Sequence, residues 1–357
     1  MLTKRIFGLM VLLGVFLPVF ALTTCDNGTG DDGSGQGSGS QSGVYTAGYY
    51  TQSGIAKACY WKNTSRVDLP VPAGAASSRA LAITVVNGVV YTAGYYDQGG
   101  YKACYWTGTT RTDLPATGTS RARAITVAGA TVYTAGEYTS NGACYWKGNQ
   151  RVDYTTVGTE NQVNAITVAG GVVYTVGNYF QSVGLYLQSL TCLWTGTERT
   201  AIINHGSWAH GNGWFIDPSN RDVYTASLTS SSNACVCKND NIINLTLPGS
   251  ASGDSEASAV TYDGVAVYSA GYYTTSGKKT VCYWKGLEMP VPLEVPAGAE
   301  VDVYSTRSIT ASNSKPYTAG SYTAGSIKKA CYWTGDTRTD LPVSDGSSEA
   351  ISIFVSM

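Results

Sequence analysis

One short phrase recurs seven times along this chain. VYTAGYY begins at Val44, and close relatives of it place a tyrosine at 45, 91, 133, 174, 224, 268 and 317, at intervals of 46, 42, 41, 50, 44 and 49 residues. A second phrase, ACYW or a variant, follows each anchor and supplies Trp61, Trp106, Trp146, Trp194, Trp284 and Trp333; the fifth copy departs as Ala234-Cys235-Val236-Cys237. A third phrase, AIT or similar, precedes the anchor from the second copy onward, as at Ala82-Ile83-Thr84 and Ser308-Ile309-Thr310. Self-similarity at this period means one supersecondary unit stacked on copies of itself.

Each copy resolves into four short strands. In the second, Ala80–Val86 and Val89–Tyr95 flank Asn87-Gly88, a two-residue hairpin signal because both residues accept positive φ. Asp263-Gly264 stands at the same place in the sixth copy. Lys102–Trp106 and Arg111–Leu114 complete the unit before Pro115. Proline cannot donate to a ladder, so the fourth strand is placed outermost. Helical repeats are excluded by the Val, Thr and Tyr of the phrases and by the recurring mid-phrase glycine at Gly48, Gly94 and Gly136. Four antiparallel strands repeated seven times predict an all-β fold, a seven-bladed β-propeller. Its ring is expected to close within one blade. The chain enters its first copy at the second strand, Val44–Tyr50, and ends on AISIFVSM (Ala350–Met357), which matches a first strand with no partner after it. Pairing the two removes an exposed edge.

The segment before the repeats is of another kind. Lys4 and Arg5 precede an apolar run, Ile6–Leu22, and then Leu22-Thr23-Thr24-Cys25. A basic start followed by so short a run is the pattern of a signal peptide. Leu22 three residues before Cys25 resembles a bacterial lipobox, which implies cleavage after residue 24 and lipid on the Cys25 sulfur. Residues 25–42 then form a tether. Asp26–Ser42 has no apolar side chain, so it cannot offset its chain entropy by burial, and 17 residues of this kind reach roughly 20–25 Å. Residues 43–357 are the propeller. Without residues 1–24 the chain has 21 bases and 24 acids, a net charge of −3. That gives no basic stripe for nucleic acid.

The set VYTAGYY, ACYWK, RTDLP and SIFVS is similar to a β-propeller repeat family of exported lipoproteins in Bacteroidetes and spirochaetes. The similarity covers residues 43–357. It implies a fold and a surface location on the cell envelope, and no established activity.

Seven of the nine cysteines occupy one equivalent position: Cys59, Cys104, Cys144, Cys192, Cys235, Cys282 and Cys331. Third strands lie two strand spacings outside the inner ring, so equivalent positions in adjacent blades are on the order of 15 Å apart. A disulfide needs Cα atoms within about 7 Å. These thiols are therefore expected to be small buried hydrophobes.

No catalytic grouping is found. There are two histidines, His205 and His210, and no GxSxG or HExxH pattern. No catalytic residue, metal or cofactor is expected, and the protein is read as a monomer that is not an enzyme. Its partners would be the membrane, through the lipid, and a protein or glycan ligand. Two places are candidates for that ligand. The first is an irregular aromatic patch: the long second-to-third-strand link of the fourth copy, Tyr179 to Leu190 with Phe180, Leu185 and Tyr186, beside the link Asn204–Trp214 with His205, Trp208, His210 and Trp214. The second is the mouth of the central channel. Arg79, Arg121, Gln162, His210, Glu256, Ser305 and Glu349 each stand three residues before the first-strand alanine or its equivalent. The plain alternative is that these residues only solvate the strand starts. A binding module at the cell surface is the reading that leaves no feature idle; a polysaccharide-acting enzyme, which needs paired carboxylates at one mouth, and an envelope scaffold are the alternatives.

Overall fold

The computed structural model describes residues 42–357 apart from 140–141, 155–160, 184–185, 204–212, 230, 303–304 and 344–345; for 161, 179–183, 186–189 and 200–203 it describes the backbone. The expected signal segment, Cys25 and all of the expected tether except Ser42 lie outside the described residues.

The chain forms seven four-stranded antiparallel sheets, each running from an innermost first strand to an outermost fourth. The seven first strands contact one another in a closed ring. It is a seven-bladed β-propeller. Blade two shows the regular unit: Ser77–Val86, Val89–Asp97, Tyr101–Thr107 and Thr110–Asp113. Its first hairpin turns on Asn87 and Gly88, at φ 51° and 75°, the left-handed pair that a two-residue turn needs. The Asp263-Gly264 hairpin of blade six differs from expectation. Its ladder stops at Tyr262↔Val267, which leaves a four-residue loop. There Asp263 accepts N–H bonds from Val265 and Ala266 at 2.9 and 2.8 Å, and so holds its own turn.

Blade one closes the ring as the chain ends predict. Gly43–Gln52 pairs on one side with Ile55–Lys62 and on the other with Ser348–Ser356, from Gly43↔Ser356 to Tyr50↔Ser348. The tryptophans join blade to blade. The indole N–H of Trp106 donates to the Pro70 carbonyl at 2.8 Å, Trp146 to Pro115 at 2.9 Å, Trp284 to Thr246 at 2.8 Å and Trp333 to Glu294 at 2.7 Å. Each acceptor lies just beyond the fourth strand of the preceding blade. The side chains themselves are fully buried, so each supplies a large apolar area and satisfies its one polar group. Cys59, Cys104, Cys144, Cys192, Cys235, Cys237, Cys282 and Cys331 are buried, and none of them forms a disulfide. Burial pushes the Cys192 thiol up to about 12 and Cys59, Cys104, Cys282 and Cys331 well above the ordinary thiol value. These are packing residues with little thiolate for chemistry.

The Arg/Asp pairs of the fourth strands do more than protect an edge. Arg66 and Asp68 pair at 2.9 Å, and the Arg66 guanidinium lies 3.9 Å from the Tyr50 ring centre. The Tyr50 hydroxyl donates to Asp68 at 3.1 Å. Tyr322, Arg338 and Asp340 repeat the arrangement in blade seven. A second-strand tyrosine thus clasps its own outermost strand.

Candidate functional site: the channel mouth

A backbone device sets the geometry of the mouth. In six blades the first strand carries one extra residue against the second, a β-bulge, at Leu81, Arg123, Asn164, Ser258, Arg307 and Ile351. Just outside each bulge, the carbonyl of the mouth residue presses on the glycine of the VYTAG phrase. A Cβ on Gly48, Gly94, Gly136, Gly177, Gly271 or Gly320 would lie 1.8–2.0 Å from the carbonyl oxygen of Glu349, Arg79, Arg121, Gln162, Glu256 or Ser305. No side chain fits there, so glycine is required. Blade five has Ser227 at this position, and its described first-strand ladder stops one step short, at Gly213↔Ala226.

A serine one residue before the mouth position fastens neighbouring blades. Ser78, Ser120, Ser255 and Ser348 accept the N–H of Ala58, Ala103, Ala234 and Ala330 in the preceding blade at 2.9–3.0 Å. This recurring S-x-A was visible in the sequence but was not assigned a role there. The same holds for the bulge residues, which the extra residue between Ala80 and Ala82 signals.

The side chains at the mouth differ from blade to blade. Glu349 is 4% exposed, which excludes mere solvation at this position. It accepts from the Tyr49 hydroxyl at 2.9 Å and from Arg307, whose Nη2 is 2.6 Å away, with Lys328 at 3.8 Å. A buried carboxylate is tolerated because several donors compensate its lost hydration. Ser305 is also buried and bonds Asp302 at 3.1 Å. Glu256 accepts from Tyr272 at 3.4 Å. Across the ring, Arg121 pairs with Glu137 at 3.5 Å, and Arg123 pairs with the same carboxylate. Arg79 lies 4.3 Å from the Tyr49 ring centre, and Arg121 4.2 Å from that of Tyr101. Gln162 faces Asn178 across its ladder. Among the described residues no three His, Cys, Asp or Glu side chains gather to hold a metal ion.

Inside the mouth lies a cavity of about 640 Å3 lined by the first strands of all seven blades. Bulge residues Leu81, Arg123, Asn164, Arg307 and Ile351 line it, with Thr126, Thr167, Thr261 and Thr310 deeper in the strands and Trp214 and Phe215 from blade five. No protein-family model matches this chain, and neither does any curated protein. The site therefore has to be judged by its own chemistry.

The aromatic patch predicted from the sequence is altered in two respects. Residues 179–190 do not begin an irregular loop. The second and third strands of blade four, Val172–Val183 and Tyr186–Thr195, stay paired to Val183↔Tyr186. Tyr, Phe, Val and Leu without proline continue a ladder readily. Trp214 is not on a link. It pairs with Thr225 in the first strand Gly213–Ile216 and faces the cavity, at the position of Ile83 in blade two. Leu185, His205, Trp208 and His210 lie outside the described residues, and for Tyr179, Phe180 and Tyr186 the backbone alone is described.

The mouth has a measurable pH response. Burial first, and then the Glu349 carboxylate, push the Tyr49 hydroxyl up to about 12. An unfolded chain releases that proton near pH 10, whereas the folded one holds it. The stability linked to Tyr49 is thus complete below pH 10 and is lost as pH rises towards 12. An ultraviolet titration of the native protein should show a late-ionising tyrosine that Glu349→Gln moves to lower pH. An unchanged curve in that variant would remove Glu349 from the environment of Tyr49.

Proposed function

We propose that the protein is a binding module without enzymatic activity, anchored by lipid at Cys25 and displayed on the bacterial envelope. One observation carries the binding role. Six blades hold the mouth residue in the same backbone setting, enforced by the bulge and its glycine, yet the side chains placed there are Arg, Arg, Gln, Glu, Ser and Glu. A fixed frame with varied side chains is suited to recognition, because position is held by the scaffold and specificity by the residues. The anchor supports the same role. Gly43 pairs with Ser356 at the end of blade one away from Glu349, so an anchor joined there would leave the mouth uncovered. Tyr186 and Trp208, from the aromatic segments 179–190 and 204–214 of the sequence, are also taken into the proposal.

The test is a screen of the purified full-length protein against glycans and envelope proteins. A ligand is expected whose binding weakens at least tenfold with Glu349→Gln or Arg121→Gln and is unchanged by Asp336→Asn on the opposite face. Tyr186→Ala with Trp208→Ala should weaken it further without moving the thermal midpoint by more than a few degrees. Equal losses from both faces, or no ligand at millimolar concentration, would refute the binding role.

A further inference from the structure

We propose that the part of the channel mouth formed by blades two and three binds the carboxylate of an acidic saccharide. This rests on the binding role above and adds the chemical class of ligand.

Charge is the first support. Arg79, Arg121 and Arg123 all lie within electrostatic reach of Tyr95, and one carboxylate, Glu137, takes Arg121 and Arg123. Three cations against one anion leave an excess of two positive charges. Arg79 makes no ion pair among the described residues, and the Nε of Arg121 is buried without a hydrogen-bond partner. The second cationic group of the mouth is different. Arg307 and Lys328 are balanced there by Glu349 and Asp302.

Preorganisation is the second support. Arg79 lies over Tyr49, and Arg121 lies over Tyr101 and, at 5.4 Å, over Tyr95. Stacking fixes the plane of a guanidinium and leaves its edge, the donor fork, for a ligand. Two such forks on equivalent positions of adjacent blades suit a planar carboxylate, which accepts paired N–H bonds.

The cavity gives the rest of the ligand its character. Arg123 lines it two residues further along the strand from Arg121, so charge leads inward from the rim. Beyond it the lining residues include Thr126, Thr167, Ser308, Asn164 and Trp214, and the Asn164 Nδ2 and Trp214 Nε1 are buried without hydrogen-bond partners. Hydroxyl and amide groups beside an aromatic ring match a polyhydroxylated ring with an apolar face better than a peptide backbone. The volume of about 640 Å3 falls within the roughly 300–1,000 Å3 of small-ligand sites.

The experiment is calorimetric titration of the full-length protein with trigalacturonate, its fully methyl-esterified neutral form, and hexaglutamate. Trigalacturonate should bind at least tenfold more tightly than either of the others, and more weakly as sodium chloride rises from low to physiological strength. Arg79→Gln and Arg121→Gln should each weaken it at least tenfold. Glu137→Gln, which removes the competing carboxylate, should strengthen it severalfold, and a thermal melt of each variant reports folding. Equal binding of the ester, tighter binding of hexaglutamate, or no effect of the arginine substitutions would overturn the assignment. A neutral glycan that binds at the mouth independently of Arg79 and Arg121 would also overturn it while leaving the broader binding role intact.

Discussion

Removing Ile351–Met357 should abolish the cooperative native state or lower its midpoint by well over 10 °C. Those seven residues are most of the first strand of blade one. That strand pairs only with Gly43–Gln52 and packs against the first strands of blades two and seven. Its loss exposes a ladder edge at Val44–Ala47 and opens the Ile353 core, which includes Trp61 and Leu341. A contribution of at least about 5 kcal/mol is expected, comparable to the whole stability of an ordinary domain. Differential scanning calorimetry of the truncated and full chains decides the matter. A truncated protein that melts with the same midpoint and enthalpy would refute closure through this pairing.

Gly94→Ala should cost about 3 kcal/mol, an unusually large effect for a single added methyl group. The new Cβ would stand 2.0 Å from the Arg79 carbonyl oxygen, which is backbone and cannot swing away. The blade must give up its bulge or separate its first two strands. Gly249→Ala is the control, because no atom lies within 4 Å of a Cβ there, and it should change stability by less than about 0.5 kcal/mol. Urea denaturation of both variants compares them directly. If the two were equal, the glycine would not be the feature that holds the mouth backbone in place.

These two positions also show what the sequence discloses and what it hides. The repeat made the blades, their order and the shared blade legible, since each follows from spacing and from an unpaired final strand. The glycine was legible as a recurring residue that argued against helix. Its partner was not, because the carbonyl it admits belongs to a strand some fifteen residues earlier, and the bulge that aims it is an offset between two strands. Repeat position put Arg79, Arg121 and Glu349 at one register, and these three share one backbone setting, each with its carbonyl against a glycine. It did not reveal that Glu349 is buried among Tyr49, Arg307 and Lys328, a set in which Tyr49 comes from the other end of the propeller sequence. Trp214 stands in the fifth copy's first-strand phrase, Gly213-Trp214-Phe215-Ile216, which departs furthest from AIT. Only the pairing of Gly213 with Ala226 shows that Trp214 holds the place of an isoleucine. The aromatic run after Asn178 broke the repeat length without breaking the hydrogen-bond ladder, a distinction that repeat spacing does not make.

The pairing of Gly43 with Ser356 also has a kinetic meaning. The earliest strand to leave the ribosome waits for the last, so six blades can form while the seventh stays a three-stranded sheet with its inner edge free. Loop closure over more than 300 residues is an entropically slow step compared with hairpin formation. Were the chain exported as proposed, the ring could not lock until Ser348–Ser356 had arrived on the same side as Gly43–Gln52.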